Sequence, residues 1–322
     1  MIVNISIKEP EGGIITLITV IIQTIRLNLL KLRGIRAIIY QSYSGGMSML
    51  SSMSDDDWRY ARLERLGLKE DPFKLSADPR YLYLGPEHLA VYRQAQGVIS
   101  RRRGLALITG DMGMGKSSLA RRLYDVYNPD ENVRICYIHT AAFKSAMDAA
   151  GQISQALDIP PQRSFQRQME SLEQKMAAAY TAQQNVIVLL DDAQMMKPEA
   201  LEVIHRLYNF DYDVKVVQIL AFGQSEMSGL FSTNKAVDAR VFVRLVLPPL
   251  TLSSALQMVM FRLNVAGRNE SMIDDDAFEL LYEKSQGVPR EITRFCASAT
   301  DLLLQSDEST INRNIVREAI SR

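Results

Sequence analysis

The sequence predicts an α/β three-layer fold built on a parallel sheet and followed by a small all-helical lid, and three features carry that reading. A short apolar run, Leu105 to Thr109, leads into a glycine-rich loop, Gly110 to Ser117, and then into a segment of helical spacing. A second apolar run, Val186 to Leu190, ends in the acidic pair Asp191 and Asp192. Other short apolar runs alternate with helical stretches, the pattern that parallel strands joined by crossover helices require. On this basis strands are expected at 105–109, 134–139, 186–190, 216–222 and 241–247, with the helical lid beginning near Thr251.

Composition sets the frame for those elements. The chain has 322 residues, 47% of them hydrophobic, with 37 basic and 37 acidic side chains, which suits one large globular domain and a smaller one. Zero net charge means that affinity for nucleic acid has to come from local clusters of cations. Cys136 and Cys296 lie far apart with no His or Cys at metal-ligand spacing, which argues against a zinc motif and a disulfide framework and fits a reducing cytoplasm.

The first residues read differently. The apolar run Ile14 to Ile25 is shorter than the ~20 residues of a membrane span, and extending it takes in Gln23, Arg26, Asn28 and Lys31. A signal peptide carries its positive charge before the apolar run, whereas here Glu9 and Glu11 precede it and the basic residues follow. Met47, Met49 and Met53 stand just before the polar start at Asp55, and each is a candidate initiator. Residues 1–54 are therefore read as a leader, an added extension or disordered, with a membrane-surface segment or an added hairpin in residues 1–46 as alternatives. The main domain is placed at 55–250 and the lid at 251–322.

The glycine-rich loop has the spacing of a phosphate-binding motif, and its residue types follow from the chemistry. Gly110, Gly113 and Gly115 let backbone N–H groups of Asp111, Met112, Met114 and their neighbours turn around phosphate oxygens at the positive end of a helix. Lys116 then reaches the β- and γ-phosphates, Ser117 offers a hydroxyl to Mg²⁺, and Ser118 completes the first helical turn. ATP with Mg²⁺ is the cofactor this predicts. In the second motif Asp191 is expected to hold Mg²⁺ through water, while Asp192 orients the attacking water.

Beyond these motifs, six segments in order carry a resemblance. The approach GLKEDPFKLSADPRYLYL (67–84), the phosphate loop, LLDDAQMMKPEALEVIHRLYNF (189–210), ILAFGQSEM (219–227), ARVFVRLVLPPL (239–250) and GVPREI (287–292) are similar to the ExeA/TnsC branch of AAA+ ATPases. Most AAA+ ATPases have Asp-Glu where this chain has Asp191-Asp192, and the shorter side chain of Asp192 implies slow hydrolysis.

The resemblance assigns further roles by position. Gln224 matches the polar sensor 1 residue and Arg290 the lid's sensor 2, while Arg240 looks like the arginine finger presented to a neighbouring subunit, with Arg244 the runner-up. DNA contact falls on Thr140 and Lys144 after the second strand and on Arg163, Ser164 and Arg167 before the acidic strand. Because the chain stops after its lid, it looks more like a stand-alone TnsC-type transposition regulator than a secretion ATPase. Its expected partners are duplex DNA, copies of itself in a helical or ring oligomer, a transposase and a TniQ-like target-selection adaptor, with a cytoplasmic location and no membrane. An ExeA-like secretion or envelope-assembly ATPase is the alternative, and a signalling NTPase switch the third reading.

Overall fold

The computed structural model describes residues 55–75, 78–210, 213–306 and 308–322, of which those from Arg59 onward form one compact unit. The readings made for residues 1–54 lie outside the described residues. Strands β1 (Leu105–Thr109), β2 (Val133–Ile138), β3 (Asn185–Leu190), β4 (Val217–Gly223) and β5 (Val241–Val246) form a single parallel sheet in the order β2, β3, β4, β1, β5. All five lie within a residue or so of where the apolar runs put them. Val133 and Asn185 begin their strands together because they pair with each other in the β2–β3 register.

Helix α1 (Asp55–Arg65) precedes α2 (Pro86–Ser100), and α3 (Lys116–Tyr127) follows the glycine-rich loop. Next in the chain come α4 (Ala146–Ala156), α5 (Phe165–Thr181) and α6 (Leu201–Tyr208), then the short α7 (Glu226–Ser232) and α8 (Lys235–Asp238). The sheet has two apolar faces because successive strand residues point to opposite sides. Leu105, Leu107, Val188, Leu190 and Ile219 pack with α4, α5 and α6, whereas Ala106, Ile108, Ile187, Leu189 and Leu220 pack with α2 and α3. Burial on both faces is why these runs show no polar alternation. Edge strand β5 does alternate, with Phe242, Arg244 and Val246 exposed.

A polar side chain inside this sheet keeps the approach to β1 in place. Gln218, fully buried in β4, accepts from the Gly104 N–H at 2.7 Å and donates to the Lys215 carbonyl at 3.0 Å. Both of its ends are paired, so burial leaves no unmatched polar group there.

The lid comprises α9 (Leu252–Val265), α10 (Asp275–Ser285), α11 (Pro289–Gln305) and α12 (Arg313–Ser321). Ala277, Leu280, Leu281 and Lys284, which have helical spacing in the sequence, all fall within α10. The buried residues are Ala277, Phe278, Leu281 and Ser285, and Lys284 is exposed. Ser285 fits inside because its hydroxyl returns to the Tyr282 carbonyl at 3.1 Å. Among the described residues no helix is long and apolar enough to cross a membrane.

Gly287 joins lid to core at close quarters. Its φ is +73°, its carbonyl accepts from the Leu250 N–H at 2.9 Å, and a Cβ there would fall 2.2 Å from the Leu250 carbonyl oxygen. Gly287→Ala is therefore expected to lower stability by about 1–3 kcal/mol, from backbone strain and a clash with backbone that cannot yield. Gly151→Ala is the control, since nothing lies within 4 Å of that added methyl and the position is helical. Denaturant melts should show a lower midpoint for the first and an unchanged or higher one for the second.

Candidate nucleotide-binding site

The carboxyl ends of β1, β3 and β4 meet the lid at a cleft of about 850 Å³. One wall is the loop from Met112 to Ser118. The floor carries Tyr137, His139, Asp191, Asp192 and Gln224, and the lid contributes Met258, Pro289, Arg290 and Thr293. Leu82, Leu84 and Leu247 also line the cleft and supply apolar surface of the kind that receives a flat ring.

The loop folds as its glycines require. Gly113 and Gly115 have φ of +85° and +94°, and Gly115 caps α3, so the helix starts at Lys116 with its N–H groups toward the cleft. Gly110 and Asp111 are not on the cleft wall; their carbonyls accept from Lys116 Nζ at 2.7 and 2.9 Å. Lys116 is 8% exposed, and burial holds its ammonium below the ordinary lysine value against the opposing pull of Asp191 and Asp192. Met112 is exposed at the loop tip, whereas the Met114 side chain is sunk in the core beneath the loop.

Asp191 follows β3 directly and is 3% exposed. Its carboxylate accepts from the Ser117 hydroxyl, from the Asp192 N–H at 3.0 Å and from Tyr137 Oη at 3.3 Å. Burial raises its pKa, and the Ser117 hydrogen bond is the chief opposing influence. Asp192 takes the left-handed conformation, φ 50° and ψ 38°, and its Oδ1 accepts from Gln194 Nε2 at 3.2 Å. Gln194 Oε1 in turn accepts from the Gln224 N–H at 3.1 Å.

Arg290 reaches the cleft from the first turn of α11, where its N–H donates to the Gly113 carbonyl at 3.2 Å. Arg240 does not reach it. It stands just before β5, at the amino end of the sheet, with Nε on Asn209 Oδ1 at 3.2 Å and Nη1 on the Ala236 carbonyl at 2.6 Å. A strand of six residues is about 20 Å long, so Arg240 faces away from its own chain's cleft by roughly that distance. Arg244 is paired with Asp238 at 2.5 Å, whereas Arg240 has no carboxylate partner among the described residues.

The residues expected to touch DNA lie elsewhere. Thr140, Lys144, Arg163, Ser164 and Arg167 are exposed, but Ser164 is occupied as the cap of α5, where its hydroxyl accepts from the Arg167 N–H. Thr140 and Lys144 precede α4 while Arg163, Ser164 and Arg167 follow it, so a helix of 11 residues, about 16 Å, separates the two groups.

Sequence reasoning passed over Gln194, Tyr137 and Arg262. Gln194 sits two residues after Asp192, and only the turn reveals what it reaches. Tyr137 is an alternate residue of β2 whose ring lies 4.1 Å from that of His139. Arg262, half-buried in α9, donates to the carbonyls of Pro72 at 2.8 Å, Lys74 at 2.9 Å and Tyr81 at 3.5 Å, fastening those three residues to the lid.

The sheet order, the glycine-rich loop, the acidic strand end and the helical lid together define the P-loop ATPase fold of the AAA+ type. Residues 99–231 match the family described as AAA domain. A curated relative, General secretion pathway protein A of Aeromonas hydrophila, is 28% identical over 238 residues, which is 72% of this chain and 43% of that protein. The chain thus spans less than half the length of that relative. Among solved structures, Cdc6p of Pyrobaculum aerophilum is similar with a TM-score of 0.60 at 18% identity, covering 77% of this chain and 69% of that one. The Aeropyrum pernix ORC1 protein in complex with DNA is similar with a TM-score of 0.58 at 17% identity, covering 82% and 68%.

Proposed function

We propose that this chain is an ATP-hydrolysing AAA+ regulator that assembles with copies of itself on duplex DNA and governs transposon target-site selection and transposase recruitment. The observation that carries the hydrolytic part is the convergence of Lys116, Asp191, Asp192, Gln224 and Arg290 on one cleft under the lid. Magnesium fits the Ser117 hydroxyl and the Asp191 carboxylate, which are hard oxygen ligands already hydrogen-bonded to each other. When bound, it would neutralise phosphate charge.

Arg240 is the candidate finger acting in trans. Its distance from its own cleft and its lack of a carboxylate partner among the described residues support that role over Arg244. Lys144, Arg163 and Arg167, exposed and without an ion pair among the described residues, are the candidate phosphate contacts, and Thr140 adds a hydroxyl. A transposase, a TniQ-like adaptor and a cytoplasmic location complete this reading. A secretion-type ATPase is the second reading, favoured by the likeness to General secretion pathway protein A.

DNA binding separates the two. With a non-hydrolysable ATP analogue at low salt, the protein should bind unrelated duplexes with similar affinity, because phosphate contacts carry no base information. Replacing Lys144 and Arg167 together by alanine should weaken binding on every sequence, and each lost contact should reduce the salt slope by about 0.9 per subunit. A double variant with unchanged affinity would move the contact surface elsewhere. A parent protein that binds no DNA under these conditions would hand the lead to the secretion reading.

A further inference from the structure

Asp192 and Gln224, the residues proposed to handle the attacking water, are not placed independently. The Gln194 side chain spans them, donating through Nε2 to Asp192 Oδ1 at 3.2 Å and accepting through Oε1 from the Gln224 N–H at 3.1 Å. Only one orientation of the amide works. Flipped, it would set its oxygen against a carboxylate and its NH₂ against an N–H.

The surroundings are shaped for this bridge. Gly223 ends β4 beside it, and a Cβ there would lie 2.8 Å from Gln194 Oε1 and 2.8 Å from Met227 Sδ. Asp192 heads a short 3₁₀ turn, Ala193–Met195, without using its carboxylate as the cap, and that turn returns Gln194 toward it. Asp192 Oδ2 has no hydrogen bond among the described residues, so one carboxylate oxygen is fixed and the other remains available to water.

We infer that Gln194 is a positioning residue for ATP hydrolysis, locking the Asp192 carboxylate in one rotamer and tying it to the strand end that carries Gln224. The inference rests on the reading of this cleft as the hydrolytic site. It also addresses the shorter acid at position 192: a short side chain in a left-handed turn is held by a brace.

The test uses the full chain with Gln194→Leu and Gln194→Glu, and Lys116→Ala as the reference for the site. ATP affinity is read by calorimetry, kcat by phosphate release, and folding by thermal melting. Gln194→Leu removes both hydrogen bonds at similar volume, so kcat should fall by about 10- to 100-fold while ATP affinity stays within about twofold. Gln194→Glu keeps the acceptor for the Gln224 N–H but sets a negative charge beside Asp192. A carboxylate in that place cannot donate to Asp192 and repels it, so kcat should fall at least as far as in the leucine variant while ATP affinity falls far less.

A folded Gln194→Leu protein with unchanged kcat would overturn the inference, as would a loss of ATP affinity matching the loss of kcat. If the leucine variant does not fold, the glutamate variant decides, and an unchanged kcat there overturns the inference. Hydrolysis that is absent in the parent, or that persists in Lys116→Ala, overturns the reading of the site itself and the inference with it.

Discussion

Lys116→Ala is expected to remove ATP binding, with an affinity loss of at least about 100-fold. Lys116 is the sole cation of the Gly110 to Ser117 loop, and its ammonium is already stripped of most of its water, resting on the carbonyls of Gly110 and Asp111. Phosphate oxygens can therefore replace neutral acceptors with charged ones at little further desolvation cost. A hydrogen bond to a charged group is worth ~1.5–3 kcal/mol, and 1.4 kcal/mol is tenfold in affinity. Two such bonds to phosphate account for the expected loss.

The fold should survive the substitution, because water entering the open cleft can satisfy the two carbonyls. Calorimetric titration with ATP, alongside a melting curve, checks both statements. Unchanged affinity in a folded variant would show that the loop does not hold phosphate. The direction of the lysine's pKa adds a second reading: burial lowers it, so the ammonium loses its proton at lower pH than an ordinary lysine, and ATP affinity in the parent should decline correspondingly early on the alkaline side.

Those parts of the site were legible in the sequence because each is written in consecutive residues. The run Leu105 to Thr109 passes straight into the loop and Val186 to Leu190 into the acids, so strand, turn and function are read from one stretch. The six ordered segments also located Gln224 and Arg290, which the fold carries to the same cleft. What was hidden depends on pairs that only the crossovers bring together. Gln218 with Gly104, Arg262 with Pro72 and Gln194 with Gln224 are separated by 114, 190 and 30 positions. In the sequence alone each is an ordinary polar residue. In α10 the helical spacing was legible, but it was the lid's packing that put Phe278 and Ser285 beside Ala277 and Leu281 on the buried face.

Asp192→Asn should separate binding from turnover. Asparagine is nearly isosteric with aspartate, and its carbonyl oxygen can still accept from Gln194 Nε2, so the turn, the brace and the neighbouring Asp191 should hold their places. ATP affinity and any nucleotide-dependent assembly should then match the parent's, because neither depends on a base. Hydrolysis should not match: removing a positioned general base costs typically ~10²–10⁴ in rate. The parent is itself expected to be slow, below the ~1–10³ s⁻¹ of ordinary enzymes, since the carboxylate of Asp192 stands one methylene short of the glutamate usual in AAA+ ATPases. The measurement is therefore single-turnover hydrolysis with enzyme in excess, which reads rates far below one per second and is insensitive to product release. A rate equal to the parent's would mean that Asp192 plays no part in activating water. Loss of ATP binding together with hydrolysis would mean that it holds the nucleotide, a role proposed here for Lys116.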